Sequence, residues 1–299
     1  MSAPQASSRE IHPLFVVGVH RSGTTWLANA LCNHSRVYGV QQAKHYGIVE
    51  SWLFSHVDGR FGDIQVPENY HALLDALKRL EYMRCSGIDV DSLRDWQPES
   101  YATFFRRLYA EIVPAQMAGG YWLEKTPVHT LYIEKLLRDF PQAKFIGISR
   151  SIRETVRSNL EMRFSNAPTP PRITSGMLAK SAYHWGKYQK YLHHFQRRMP
   201  ERIYLITYED LARETAPTLA SCLDFLQLRW EDAVLEQRYE RNMRKIIGIE
   251  TLLTETMAYR LEWLRRLVTA LPFWVYQLQE RLRKPRTREP IPFMLDEPI

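Results

Sequence analysis

The stretch FVVGVHRSGTTWLANAL, residues 15–31, passes from an apolar β-rich run through a loop flanked by glycines into a helical pattern. Gly18 and Gly23 have the spacing of the phosphate-cradling pattern G-x-x-x-x-G-K-[ST]. In that pattern backbone N–H groups form an anion nest and the lysine reaches the terminal phosphates. Here Thr24 stands where the lysine would be, and Thr25 follows at the helix start, whose free N–H groups still favour an anion. The cradle is kept while the grip on β- and γ-phosphates and on Mg²⁺ is gone. The nearest cation is Arg21, inside the loop. An ordinary strand–turn–helix can carry two glycines as well, so the rest of the chain decides the reading.

Five short β-rich runs stand out: Leu14–Val19, Val37–Val40, Tyr121–Glu124, Lys144–Ser149 and Arg202–Tyr208. Helical patterns lie between them. In VHTLYIEKLLRDF, residues 128–140, Ile133, Leu136, Leu137 and Phe140 share one face. EDLARETAPTLASCLDFLQL, residues 209–228, reads as a helix opened by acidic residues, which suit the positive end of its dipole. Strands alternating with helices imply a parallel sheet covered on both faces. Residues 64–118 read as a mainly helical insertion, and proline-rich FSNAPTPPRITSG, residues 164–176, as a loop. The final helices, from about residue 251 to 283, carry PFWVYQL beside basic residues. They are expected to pack on the protein's own core rather than lie on a membrane surface. One domain, residues 10–290, is expected.

Composition narrows the partners. With 45% apolar residues in 299, a substantial core is available. No run of about 18 apolar residues suggests a membrane span, and the N-terminal residues lack the basic start and apolar run of an export signal. Cys32, Cys85 and Cys222 make neither a metal motif nor a disulfide framework, which suits a reducing cytoplasm. Much of the +7 charge sits in LEWLRRL and QERLRKPRTREP near the C-terminus. With no nucleic-acid-binding motif, it reads as a solvated basic surface, and no nucleic-acid partner is expected. A positive field also suits a small polyanion.

Four segments together bring the chain to a known family. It resembles the sulfotransferases that use 3′-phosphoadenosine 5′-phosphosulfate (PAPS), in the branch whose loop reads R-S-G-T-T as in the protein-tyrosine and many bacterial members. The resemblance covers about residues 13–228. It implies that Arg21, Ser22, Gly23, Thr24 and Thr25 bind the 5′-phosphosulfate end and that Trp26 stacks on adenine. In KFIGISRSIRETVRSNL it implies that Arg150 and Ser158 hold the 3′-phosphate, a fit for a guanidinium fork and a hydroxyl. WLEKTPVHT carries over Lys125, which points at the donor. RIYLITYEDLARETAPTLASCLDFLQL matches a structural strand–helix segment. RNMRKIIGI, residues 241–249, offers Arg244, Lys245 and Gly248 as an imperfect form of a late R-K-G motif.

The implied fold is α/β and P-loop-like, three layers with a central parallel sheet flanked by helices, plus a helical insertion and C-terminal helices. The implied reaction moves a sulfuryl group from PAPS to a small-molecule hydroxyl or amine, releases adenosine 3′,5′-bisphosphate (PAP) and needs no metal. Arg21 and Lys125 are candidates to stabilise charge on the leaving oxygen. The base is open. The glutamate of the protein-tyrosine branch falls on Gln42, and the histidine of the cytosolic branch on Pro127. His45 is the first candidate, since histidine is the side chain suited to accept a proton near neutral pH. Glu50 is the second, as base or as orienter of the histidine, and His129 the third. Tyr46, Trp52, Phe54 and Phe61 are expected around the acceptor mouth. A nucleoside-triphosphate-dependent kinase and a non-catalytic binding module of the same fold are the alternative functions.

Overall fold

The first strand, β1 (His12–Gly18), alternates its side chains between two cores. The computed structural model describes residues 11–117, 119–164, 172–239 and 253–295. Leu14 and Val16 face one cluster with helix α1 (Thr24–Cys32), while Phe15 and Val17 face a second. Both faces of the strand are therefore apolar, as a parallel sheet covered on both sides requires.

The sheet contains β1, β2 (Val37–Tyr38), β5 (Tyr121–Glu124), β6 (Lys144–Ser149) and β7 (Ile203–Thr207), in the order β2-β5-β1-β6-β7, all parallel. All five β-rich runs of the sequence become its strands. Between β2 and β5 lie a two-stranded antiparallel hairpin, β3 (Gln41–Gln42) with β4 (Gly47–Ile48), and the helical insertion. The insertion comprises α2 (Pro67–Lys78), α3 (Glu81–Ser86) and α4 (Tyr101–Ile112). Its apolar faces close over Phe15 and Trp122, where the Tyr109 ring stacks on Trp122 at 3.7 Å between centroids.

After β5 come α5 (Ile133–Asp139), β6, α6 (Ile152–Arg163), α7 (Ser175–Arg198) and β7. The segment expected as one helix over residues 209–228 is two, α8 (Tyr208–Arg213) and α9 (Thr215–Leu226). Pro217 has no N–H to give, and its ring would clash with the carbonyl of Arg213 in a continuous helix, so the chain breaks at Glu214. Most of the proline-rich stretch expected as a loop (165–171) and the R-K-G-like segment (241–249) lie outside the described residues.

The last helices are α10 (Glu255–Ala270) and α11 (Phe273–Leu282). They pack on α7 through Leu261, Val268 and Tyr276, whose hydroxyl donates to the Val268 carbonyl at 2.6 Å. The expectation that they pack on the core holds for that side only. Trp263, Trp274 and Leu282 are 57%, 63% and 78% exposed. No described helix is long and apolar enough to cross a membrane. Cys32, Cys85 and Cys222 are free thiols.

Candidate active site

Four neighbouring strands deliver the site. The loop after β1, Lys125 after β5, Arg150 after β6 and Tyr208 after β7 all lie at or just beyond the C-terminal ends of parallel strands. Ligands of open α/β sheets gather at that edge. Register fixes the alignment, with Gly18 paired to Ile148 and Ser149 to Thr207.

The loop is bound to its surroundings at several points. The Gly18 N–H donates to Thr130 Oγ1 at 2.9 Å, and Ser22 Oγ donates to the Val19 carbonyl at 2.7 Å. Arg21 and Gly23 have φ of 72° and 97°, one on each side of Ser22. This alternation of hand turns successive backbone N–H groups to one side, the geometry of an anion nest. A Cβ on Gly23 would lie 2.5 Å from the Tyr208 ring, so the position needs glycine for its conformation and for its space.

Arg21 and Arg150 meet here. Arg21 Nε donates to Ser158 Oγ at 3.1 Å, and Arg150 Nη1 donates to the Arg21 carbonyl at 3.3 Å. The Arg150 guanidinium lies 4.0 Å over the Tyr208 ring, against which Trp26 packs edge-on at 5.7 Å. The Trp185 indole donates to the Arg150 carbonyl at 2.9 Å and so holds that turn. Burial, then the charge of Arg150, pulls the Arg21 guanidinium below its ordinary value, with Glu161 and Glu50 opposing. Glu154 lies 3.5 Å from Arg150, but its carboxylate is shared with Arg157 at 2.5 Å. Arg150 Nε is buried without a hydrogen-bond partner. Two adjacent cations with an unused buried donor form a site suited to a phosphate-like anion.

The second half of the site rests on Glu124 and Lys125. Glu124 Oε1 accepts from Ser51 Oγ at 2.7 Å and Thr126 Oγ1 at 2.6 Å, and Oε2 lies 2.7 Å from His129 Nδ1. Both Glu124 and His129 are buried. Burial pushes the Glu124 carboxyl up, but His129, Thr126 and Ser51 outweigh it and hold it below the ordinary value. With Glu124 fixed, the next side chain, buried Lys125, reaches the half-buried Glu50 at 2.7 Å.

Of the residues expected from sequence, the structure gathers Arg21, Ser22, Gly23, Thr24, Thr25, Trp26, Arg150 and Ser158 around the loop, and couples Lys125 to Glu50. His45 lies elsewhere. It ends a short 3-10 turn after β3, with Nε2 3.5 Å from Glu81 Oε1 and its ring against Phe293. His45, Glu81 and Cys85 bring their ligand atoms within 4.8 Å of one another, but Glu81 is already engaged by Lys44 and Arg84. Phe54 is core, packed on Phe15, Phe105 and Trp122, and Phe61 is partly buried against the same cluster. Sequence reading missed His20, which precedes Arg21. Burial holds its imidazole below the ordinary range, Glu50 pulls it up, and Lys125 and Arg21 push it further down. A histidine inside the loop between Gly18 and Gly23 was the available signal.

A P-loop-like α/β fold with a lysine-free anion nest defines the class. A model described as the sulfotransferase family matches residues 13–232, and the chain belongs to that family. An uncharacterized protein of Aquifex aeolicus is 24% identical over 289 residues, covering 91% of this chain and 33% of its own length. The chain thus spans about a third of that relative. Among solved structures, the sulfotransferase domain of the curacin biosynthetic pathway is similar at 18% identity and a TM-score of 0.52, covering 93% of this chain and 100% of its own. The sulfotransferase domain of the Synechococcus PCC 7002 olefin synthase gives 18% and 0.52, covering 91% and 94%. A sulfotransferase from Mycobacterium tuberculosis H37Rv gives 15% and 0.51, covering 88% and 77%. These likenesses establish the fold.

Proposed function

We propose that the protein transfers a sulfuryl group from PAPS to a hydroxyl or amine of a small-molecule acceptor. The observation that carries this is the pairing of Arg21 and Arg150 beside a loop that lacks the triphosphate lysine. The unpartnered Arg150 Nε and the tight fit of Gly23 against Tyr208 support a bound phosphate group beside the ion pair to Glu154. Bound donor would supply an activated S–O bond to its 5′-phosphate, which breaks as the acceptor's bond to sulfur forms, with PAP as the leaving product.

The chain's own residues then have separable roles. Arg150 and Ser158 hold the 3′-phosphate, and Trp26 and Tyr208 offer aromatic surface to the base. Residues 21–25 cradle the 5′ end. Arg21 and Lys125 stabilise the charge that grows on the leaving oxygen, and this preorganised charge is the main catalytic contribution. Glu50 takes the acceptor's proton, since it is the carboxylate at Lys125, whereas the contacts of His45 are with Glu81 and Phe293. His20, close enough to Glu50 and Lys125 to feel both charges, is the second candidate for that proton. The free thiols support a reducing, cytoplasmic location.

Thermal melting with nucleotides tests the reading. PAP is expected to raise Tm by mass action, and ATP with Mg²⁺ to do much less. Equal or greater protection by ATP would replace the sulfotransferase with a kinase. Protection by PAP without turnover of labelled PAPS across an acceptor panel would favour a non-catalytic binding module.

A further inference from the structure

Six of the eleven large apolar side chains exposed among the described residues lie in the last two helices. On α10 they are Tyr259, Trp263 and Leu267, and on α11 Trp274, Leu278 and Leu282, each set at a spacing of four residues. That spacing puts each set along one helix face. Leu261, Val268 and Tyr276 point the opposite way, into the packing against α7, so both stripes face away from the core. Scattered exposed apolar residues need no explanation, but six on two consecutive helices, three of them bulky aromatic rings, do.

The surrounding charge identifies the occupant. Arg266, Arg281, Lys284 and Arg288 form no salt bridge among the described residues and are exposed. Arg281 lies seven residues after Trp274, two helical turns along the same face. Arg281, Arg283, Lys284 and Arg286 line a cavity of about 240 Å³, together with Glu134 and Glu280. Glu280 is already held by Lys187 and Arg286, which leaves the cavity's free charge positive. Tryptophan and leucine on one face with unpaired arginine and lysine beside them match the interface of an anionic bilayer, apolar to the acyl boundary and cationic to the phosphates. A protein partner with a matching apolar face would leave these cations without their counter-charge.

We infer that α10 and α11 form a peripheral docking surface for an anionic phospholipid bilayer, with the rings of Trp263 and Trp274 at headgroup depth. This stands apart from the sulfotransferase reading and uses none of its residues.

Vesicle co-sedimentation of the full chain tests it, with phosphatidylcholine vesicles against vesicles that also contain phosphatidylglycerol. The tryptophan emission is recorded in parallel. Binding to the anionic vesicles is expected to be at least about tenfold tighter, to weaken with salt, and to shift the emission to the blue. Each cation near such a surface contributes roughly fivefold, so the triple variant R266E/R281E/K284E should lose about a hundredfold or more. The apolar variant W263S/W274S should lose binding while its Tm and PAP response stay those of the parent, because both side chains are exposed. Equal binding to both vesicle types, or no effect of the triple variant, would overturn the proposal. Absence of vesicle binding, with a dimer that W263S/W274S splits into monomers, would assign the face to a second copy. Glycerol phosphate at millimolar concentration should not displace the protein from vesicles, and full displacement would reduce the surface to a soluble-phosphate site.

Discussion

Replacing Glu124 by glutamine removes one charge from a buried network while keeping its shape. In the parent, the carboxylate accepts from Ser51, Thr126 and His129 at 2.6–2.7 Å. A hydrogen bond to a charged group contributes about 1.5–3 kcal/mol and a neutral one about 0.5–1.5. Three bonds therefore lose roughly 3 kcal/mol together. With the amide oxygen kept on Ser51 and Thr126, the amide nitrogen donates to His129 Nδ1, and the ring proton then sits on Nε2, a buried atom with no partner. That orphan N–H costs about 1–3 kcal/mol, and the avoided burial of a carboxylate offsets part of the total. A net loss of about 2–4 kcal/mol, or about 3–6 °C in Tm for a chain of this length, is expected by calorimetry at pH 7. The acid side supplies a second readout. Because the folded-state pKa of Glu124 is depressed, its stabilisation is present above the ordinary carboxylate range and lost as pH falls through the folded value. The gap in Tm between parent and E124Q should thus narrow below about pH 4.5. An unchanged Tm at pH 7, or a gap that widens in acid, would refute the role given to this network.

Further substitutions address the site. Arg150→Ala should weaken PAP binding by about 10–150-fold in calorimetric titration, the loss of a charge-assisted contact, while Arg21→Ala should fall mainly on turnover. Parent-like PAP affinity in Arg150→Ala would remove Arg150 from the 3′-phosphate site. Gly23→Ala should push the Tyr208 ring aside and with it the Arg150 guanidinium, costing PAP affinity about tenfold or more; an alanine variant that binds normally would mean the cradle is looser than its geometry indicates. Glu50→Gln should cut turnover by around 10²–10⁴-fold with PAP affinity kept, and His45→Ala should stay near the parent. The opposite ranking would return the base to His45, and loss of turnover only in His20→Asn would assign it to His20.

The sheet was legible because each of its strands is a short apolar, β-rich run bounded by polar or turn residues, and both faces are buried. The gathering of Arg21, Trp26, Lys125 and Arg150 at one edge of the sheet was legible for a related reason. Its residues follow strands directly, so their positions in the sequence and in space agree. The surroundings of His45 and Glu50 were not. Gln41–Gln42 and Gly47–Ile48 form strands of two residues, too short for a periodic signal, and their hairpin turns His45 toward Glu81 while Glu50 returns to Lys125. Phe54 illustrates the same limit, since its ring enters the core through a turn whose preceding residue, Trp52, has a φ of 57°. The break at Glu214 was visible in Pro217 but masked by the continuous apolar pattern on either side.

The backbone of Arg21 turns left-handed at a φ of 72°, a conformation that costs most residues with a Cβ about 1–2 kcal/mol. Glycine at that position would fold more readily, and asparagine nearly as well. Random mutation screened for heat resistance alone should therefore drive the arginine out of this position, and the survivors would be sturdier proteins that lack the cation proposed to stabilise the leaving oxygen. Sequences recovered from such a screen would carry a signature opposite to that of a population kept under demand for its reaction, with residue 21 the first to drift.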